Sequence, residues 1–169
     1  YQNLSNINRK TMSAVNRGVS AAMGSGPILG FPLMGIKVWL HHLDVGKRTS
    51  ETIVAAAAAQ CLQQIVKASD CRLLEPFMKL EILVDDLYNS SVLADLSKRR
   101  GNILSISQKQ DMKVINAECP LSELVGYSNS LRSITSGMAT FTMELSHYVP
   151  MTSHQEAKAV QQVTGFEPL

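Results

Sequence analysis

The stretch FMKLEILV, residues 77–84, decides the fold that we expect for the second half of the chain. Its apolar residues recur at every second position, while charged residues lie between them: Met78, Leu80, Ile82 and Val84, interrupted by Lys79 and Glu81. Side chains two residues apart point to the same face of a strand. The spacing therefore predicts a β-strand that buries one face.

Downstream of this strand, the hydrophobic pattern alternates between helical and extended periods. We expect two helices and three further strands: helices 91–100 and 121–136, and strands 103–107, 112–119 and 140–146. Gly101 is expected as a left-handed cap of the first helix, and the second helix is expected to end at Gly137. In the last strand we expect three apolar side chains to point inward: Phe141, Met143 and Leu145. The order β-α-β-β-α-β predicts a ferredoxin-like sandwich, with two helices on one face of a four-stranded antiparallel sheet.

The first half of the chain is predicted as helix 12–23, strand 36–40, a polar loop at 41–49 and a second helix. Ser50 is the expected N-cap of that helix, which should end near residues 68–70. The residues from 151 to 169 show little periodicity and are expected to form a peripheral tail. The fold class predicted for the whole chain is therefore α+β.

Composition excludes several classes of function. The chain has 169 residues and a formal net charge of +2, and none of its segments is apolar enough to span a membrane. Its three cysteines lack a CxxC pair, which argues against a zinc site. Phosphate-loop, dinucleotide-binding and hydrolase motifs are missing from the sequence. We therefore predict no catalytic residue, no metal site and no cofactor-binding residue in this chain.

Two basic stretches are candidates for contact with phosphate groups. The first is the loop that contains Lys47 and Arg48, and the second is the run Lys98, Arg99, Arg100. Each has a plainer interpretation: the loop can be a solvated turn, and the run can simply complement the dipole at a helix C-terminus.

Several ordered blocks of sequence resemble the elongation factor G family. In the second half these are LLEPFMKLE at 73–81, DLSKRRG at 95–101, PLSELVGY at 120–127 and LRSITSG at 131–137. In the first half, VNRG at 15–18 and GPILGFP at 26–32 are similar to the fourth domain of the same family. The resemblance covers roughly residues 8–150.

The resemblance implies a division into domains. Residues 1–75 correspond to the later part of domain IV, which has a fold like domain 2 of ribosomal protein S5. Residues 76–150 correspond to the ferredoxin-like domain V, and residues 151–169 form the tail. Because the chain opens on Tyr1, we expect it to be part of a longer protein. By resemblance, that parent binds GTP with magnesium in a G domain that this chain lacks.

The resemblance also implies which residues contact the ribosome. In the tip loop of domain IV they are His42, Asp44, Gly46, Lys47, Arg48 and Thr49. In domain V the contact or motif residues are Lys98, Arg99, Arg100, Gly101, Gly126, Tyr127, Arg132, Ser133 and Gly137. The implied partners are ribosomal RNA and ribosomal proteins, with no membrane and no DNA.

Within the family, the tip loop favours one branch. Translocating members carry a loop with histidine at its apex, whereas LDVGKRTS at 43–50 lacks that histidine. The loop and the block VLADLSKRRGNI at 92–103 look more like the mitochondrial paralogue that recycles ribosomes together with ribosome recycling factor. A mitochondrial matrix location, with a transit peptide outside this chain, follows from that resemblance.

Two other interpretations stay open at this point. One is a translocating elongation factor whose tip loop has diverged. The other is a free-standing ferredoxin-like module that binds RNA or protein. An RNA-binding sheet would need a pair of stacking aromatic residues, and the strands offer only Phe77 and Phe141, both expected in the core.

Overall fold

The computed structural model describes residues 8–46 and 48–165. These residues form two compact units. The first contains the described residues up to Arg72 together with those from Gln155 onward, and the second is Leu73–His154. The boundaries proposed from the sequence, at 75/76 and 150/151, remain predictions.

The second unit is built on a four-stranded antiparallel sheet with the strand order β2-β3-β1-β4. The strands are β1 (Leu74–Asp85), β2 (Asn102–Lys109), β3 (Met112–Pro120) and β4 (Thr140–Pro150). The helices are α3 (Asp86–Lys98), a 3-10 turn (Leu121–Leu124) and α4 (Tyr127–Ile134). This is the ferredoxin-like order predicted from the sequence, and the α+β fold class is confirmed.

Alternation along β1 places the core of this unit where the sequence predicted it. Leu80, Ile82 and Val84 are fully buried. Leu80 lies opposite Ala117 and Ile82 lies opposite Ile115, so that neighbouring strands bury matching residues. Cross-strand pairs of this kind are the unit of sheet stabilisation.

The first helix of this unit starts earlier than predicted. Asp85 has extended backbone geometry, and its carboxylate accepts a hydrogen bond from the Leu87 amide, so the helix begins at Asp86 rather than at residue 91. The predicted left-handed cap at Gly101 is also wrong. Arg100 has the positive φ, 58°, and the Gly101 amide donates back to the Leu96 carbonyl at 2.8 Å. Gly101 is nevertheless required, because a Cβ there would lie 2.7 Å from that carbonyl oxygen.

The helix predicted at 121–136 is interrupted. Val125 and Gly126 have the backbone angles of a type II turn, with φ of −60° and 74° respectively. The chain therefore forms a short 3-10 turn, reverses, and restarts as α4 at Tyr127. The second central residue of a type II turn has a positive φ, which an α-helix does not allow, so the helix is broken at Gly126 despite the helical propensity of the segment.

The orientation predicted for the last strand is correct, but its burial is not. Phe141 packs against the core, whereas Met143 and Leu145 are each 50% exposed. They lie beside Leu80 and Met78 on the helix-covered face. β4 is the last strand of the sheet, and nothing among the described residues of this unit pairs with its outer edge.

The first unit centres on two helices, α1 (Arg9–Met23) and α2 (Glu51–Lys67). Gly18 permits them to approach closely, since a Cβ at this position would clash with the Ala55 carbonyl oxygen. The side of the pair that is buried contains Ala14, Val15 and Val54. Ser50 caps α2 as predicted, accepting a hydrogen bond from the Ile53 amide.

The strand predicted at 36–40 is wrong. Residues 36–40 have no strand assignment, and Ile36, Val38 and Trp39 are exposed. A strand needs a partner for its backbone groups, and no strand occurs among the described residues of this unit.

The segment predicted as a tail contains a fifth helix, α5 (Ser153–Thr164). Within the part of the chain that the structure describes, no helix is long and apolar enough to cross a membrane.

Candidate functional site

The polar loop at 41–49 is attached to the first unit by alternate residues. Leu43 and Val45 pack against the core of the helix pair. His42 precedes Leu43, Asp44 lies between Leu43 and Val45, and both polar residues are exposed. The alternation means that the apolar residues fix the backbone of the loop while the polar residues face solvent.

The second half of the loop is a tight turn that leads into α2. The Thr49 amide donates to the Gly46 carbonyl at 3.0 Å. Gly46, Arg48 and Thr49 are exposed, and Ser50 then starts the helix. Lys47, the remaining predicted contact of this loop, lies outside the described residues.

The loop can offer a cation, hydroxyl groups and imidazole to a polar partner. Arg48 is exposed and has no ion pair among the described residues. The guanidinium group is well suited to phosphate, because its planar fork donates several hydrogen bonds. The positive end of the α2 dipole follows directly and acts in the same direction.

The three residues of the run Lys98, Arg99, Arg100 differ in their contacts: Lys98 is exposed to solvent, whereas Arg99 and Arg100 form hydrogen bonds within the second unit. Lys98 is exposed in the last turn of α3. Arg99 donates to the Asp95 carboxylate at 2.8 Å and to the Glu123 carbonyl at 2.6 Å, and its guanidinium lies 5.2 Å from the centre of the Tyr127 ring. These contacts hold α3 against the 3-10 turn and the start of α4.

Arg100 forms the densest ionic network of the second unit. Its guanidinium donates to both carboxylate oxygens of Glu75, at 2.9 and 3.1 Å, and to the Glu123 carboxylate at 3.1 Å. The Ser122 hydroxyl also donates to Glu75, at 2.6 Å. Burial by itself raises the pKa of Glu75, but these hydrogen bonds and the charge of Arg100 outweigh it and lower the pKa overall. The hydrogen bond to Glu75 raises the pKa of Arg100 in turn.

The network changes how Arg99 and Arg100 are interpreted. The sequence offered two roles, a phosphate clamp or a complement to the helix dipole, and the structure shows a third, an internal tie between β1, α3 and the 3-10 turn. Sequence reasoning missed Glu75, Ser122 and Glu123 as partners because they lie 22 to 25 residues from Arg100. Glu75 inside an otherwise apolar strand end was the signal that could have indicated a buried charge pair.

The other candidates of the second unit fall into two groups. Tyr127 is buried, in edge-to-face contact with Phe141 at 5.0 Å, and its role is to pack the core. Burial raises its pKa far above the ordinary range. The remaining candidates are exposed: Gly126, Arg132, Ser133 and Gly137. Gly126 and Gly137 both have positive φ, so they shape turns.

The face of the sheet opposite the helices is polar and carries an excess of negative charge. Three carboxylates surround Lys79 on three neighbouring strands: Glu81, Glu118 and Glu144. Phe77, which the sequence placed in the core, lies on this face and stacks on His147 at 5.5 Å. A surface of this charge repels nucleic acid phosphates.

Among residues 8–46 and 48–165, no group of three or more histidine, cysteine or acidic residues is arranged to hold a metal ion.

Two family descriptions match the chain in succession. "Elongation factor G, domain IV" matches residues 3–70, and "Elongation factor G C-terminus" matches residues 72–159. The border between the two matches, at residue 71, falls beside the border between the two structural units at Arg72.

Individual proteins agree with these matches. Proteins named "Ribosome-releasing factor 2, mitochondrial" from Danio rerio and Mus musculus are each 42% identical over 90% of this chain, and the one from Culex quinquefasciatus is 41% identical over 98%. A crystal structure from Thermus thermophilus superposes with a TM-score of 0.89 at 30% identity, over 95% of this chain and 24% of that one. The chain spans about a fifth of the length of the curated relatives it matches, between 20% and 22% for these three. The two successive family matches, the second of which covers the observed ferredoxin-like unit, thus establish that the chain belongs to the elongation factor G family, spanning its domain IV and C-terminal regions.

Proposed function

We propose that this chain is the ribosome-contacting portion of a mitochondrial translational GTPase that splits post-termination ribosomes into subunits together with ribosome recycling factor. The observation that carries the proposal is the identity of about 40% to proteins named mitochondrial ribosome-releasing factor 2, which extends over at least 90% of the chain in fish, mouse and mosquito. Their names also support mitochondrial localisation. Membership of the elongation factor G family supports ribosome interaction.

The geometry of the first unit supports a contact role for the loop at 41–49. Leu43 and Val45 are fixed in the helix pair, and Ser50 caps α2 directly after the loop. Asp44, which lies between Leu43 and Val45, and Arg48, which lies two residues before the cap, are therefore presented close to fixed points of the backbone. A fixed loop loses less conformational entropy on binding than a mobile one.

The second unit supplies rigidity. The charge network around Arg100 ties the start of β1 to the ends of α3 and the 3-10 turn. A domain that pushes ribosomal subunits apart must transmit force without deforming, and buried, paired charges resist deformation because breaking them leaves an unpaired charge.

In this proposal, GTP and magnesium bind to a G domain elsewhere in the parent protein. The nucleotide state would bias the parent between conformations with different affinities for two ribosomal states. The work is then done by differential binding, and the residues of this chain supply contacts.

Two competing functions make different predictions. The first, translocation by an elongation factor, would move messenger RNA without separating the subunits. The second, an independent RNA-binding module that uses its sheet, is disfavoured by the three carboxylates on the open face and by the pairing of Phe77 with His147.

The experiment uses the full-length parent protein, GTP and mitochondrial ribosomes in post-termination complexes. Light scattering follows subunit separation with and without ribosome recycling factor. We expect separation only when both proteins are present. If the same preparation translocates normally but does not separate the subunits, the parent protein is a translocase and the recycling proposal is wrong.

Arg48→Ala in the full-length parent tests the loop, with binding to the mitochondrial ribosome measured over a range of salt concentrations. If Arg48 contacts phosphate, its loss lowers the slope of log binding constant against log salt by about 1. Arg9→Ala is the matched control, because Arg9 is an exposed arginine of the same unit outside the loop. An equal change in both variants would remove the loop from the proposal.

A further inference from the structure

The two outer strands of the sheet present different edges. β2 is the shorter strand, and its pairing with β3 is irregular between Ile103 and Ser105, where Leu104 bulges. Ser105 and Ser107 are the residues that it presents beside Asn116 and Val114. Bulges and small polar residues protect a sheet edge from pairing with another chain.

β4 lacks these protective features along most of its length. Thr140 through Leu145 pair with β1 in an unbroken register, and the one irregularity lies near His147. Glu144 is its only residue with a full formal charge. None of the strands described in this unit pairs with the outer edge of β4, so that a row of backbone donors and acceptors faces outward.

The side chains of β4 on the helix-covered face are partly uncovered. Met143 lies beside the fully buried Leu80, and Leu145 lies beside Met78, yet each is 50% exposed. The core therefore continues to the rim of the sheet without a cover. One further strand along β4 would bury the exposed halves of both side chains.

The side chains of β4 on the open face are polar and acidic. Glu144 lies beside Lys79, whose other cross-strand neighbour is Glu118. Thr142 lies beside Glu81, which adds a third carboxylate. Lys79 offsets one of the three negative charges, with 3.7 Å between its Nζ and Glu144. Glu118 accepts a hydrogen bond from Ser146 and lies 3.7 Å from His147. Cationic side chains of a neighbouring strand would be attracted to this face.

We propose that the edge of β4 binds an extended segment of a partner protein in which apolar residues alternate with lysine or arginine. The segment pairs with the backbone of Thr140–Leu145 as a fifth strand. Its apolar side chains cover Met143 and Leu145. Its basic side chains lie beside Glu144 and Thr142, and the carboxylate of Glu81 lies one strand further in, next to Thr142. The period of two along a strand delivers both sets of side chains at once. This surface does not rest on the recycling function proposed above.

Charge decides between this occupant and the alternatives. A nucleic acid would bring phosphates to a face with three carboxylates. A second copy of this chain, paired antiparallel around Glu144, would bring two like charges together across the strands, which is destabilising. A basic, alternating segment avoids both penalties.

The test uses the 169-residue chain and two synthetic peptides of about ten residues, one alternating lysine with valine and the other alternating glutamate with valine. The peptides are added to the full-length parent protein as well as to the chain alone. Amide hydrogen exchange, read by mass spectrometry in both, reports protection strand by strand. We expect the lysine peptide to protect β4 amides and the glutamate peptide to leave them unchanged. Leu145→Lys should weaken binding of the lysine peptide at least about tenfold, since it places a charge where an apolar contact is needed.

Ile106→Lys is the matched control, because Ile106 is 45% exposed at the opposite edge of the sheet and faces the same side. It should leave binding unchanged. If Leu145→Lys lowers the protection of β1 amides, that variant has disturbed the core. Glu144→Lys then tests the role of charge at an exposed position. We expect it to abolish the preference for the lysine peptide.

Four results would overturn the proposal. The first is no protection of β4 amides at peptide concentrations up to about 1 mM, and the second is protection of β2 amides instead. The third is equal protection by the two peptides. The fourth is protection of β4 amides by an RNA oligonucleotide or by self-association of the chain.

Discussion

The guanidinium of Arg100 donates hydrogen bonds to both carboxylate oxygens of Glu75, at 2.9 and 3.1 Å, and so joins the end of α3 to the first residues of β1. The Glu75 side chain is almost fully buried, whereas that of Arg100 is 38% exposed. Removing one partner of such a pair leaves a buried charge with weaker compensation.

Arg100→Ala should therefore destabilise the second unit by about 2 kcal/mol. The loss is not larger because Ser122 still donates a hydrogen bond to the Glu75 carboxylate. Hydrogen exchange of the β1 amides measures this loss in the unit concerned. Lys98→Ala, which truncates an exposed cation two residues away, should change it by less than about 0.5 kcal/mol. Equal effects of the two substitutions would mean that the network adds nothing to stability.

The lowered pKa of Glu75 predicts a dependence of stability on pH. The pKa of this carboxyl in the folded chain lies below its ordinary value of 4.5, so the unfolded chain takes up the proton first as pH falls. The stabilisation is fully present above 4.5 and is lost as pH falls through the folded value. Glu75→Gln should flatten the acid limb of the stability profile, measured by β1 exchange between about pH 3 and 6. Glu81→Gln, at an exposed position of the same strand, should leave that limb as steep as before.

Gly18→Ala tests the close approach of α1 to Ala55. The added Cβ would clash with the Ala55 carbonyl oxygen, and because that atom belongs to the backbone the helices must separate. We expect a net loss of about 1–2 kcal/mol, as overpacking exceeds the gain of about 1 kcal/mol in helix propensity. Exchange of α1 and α2 amides measures it. Asn16→Ala, on the exposed side of α1, should be neutral or slightly stabilising, and a similar result for Gly18→Ala would contradict the packing described here.

The cysteines should differ in their reaction with a thiol reagent. Burial, reinforced by the negative charge of Glu123, raises the pKa of Cys119 to about 11, and its thiol donates to the Arg99 carbonyl at 3.0 Å. Cys61 is exposed on α2. Because the thiolate is the reactive form, mass spectrometry should find Cys61 modified first and Cys119 modified only on unfolding. Cys61→Ser identifies the rapid phase, which should disappear in that variant.

The elements of the second unit were largely predictable because local patterns and tertiary packing agree there. The period-two pattern of residues 77–84 predicted β1 and its buried face, and the glycines after the helices marked their ends. Val125 and Gly126 were the exception, since a type II turn is specified by backbone geometry that helix propensity conceals. The interpretation of residues 36–40 as a strand failed because a strand requires a partner, and alternation alone does not provide one.

The candidate site was predictable in part. An exposed polar loop before α2 followed from composition and from the cap at Ser50, and the structure places His42, Asp44 and Arg48 at the surface as independent side chains. The roles of Arg99 and Arg100 were not predictable. Charge and position are visible in a sequence, but whether a cation meets solvent or a buried carboxylate depends on which distant segments fold beside it.

The sequence by itself determined the fold class, the family and the succession of elements along the second unit, because hydrophobic period and ordered motifs are properties of neighbouring residues. Only the tertiary structure decided that Glu75 and Arg100 pair across 25 residues, that Phe77 faces away from the core, and that Met143 and Leu145 reach the rim of the sheet uncovered. Each of these depends on which strand lies beside which and where the sheet ends. The spatial order of the strands sets burial and charge pairing, and it exists only once the chain has closed its long-range contacts.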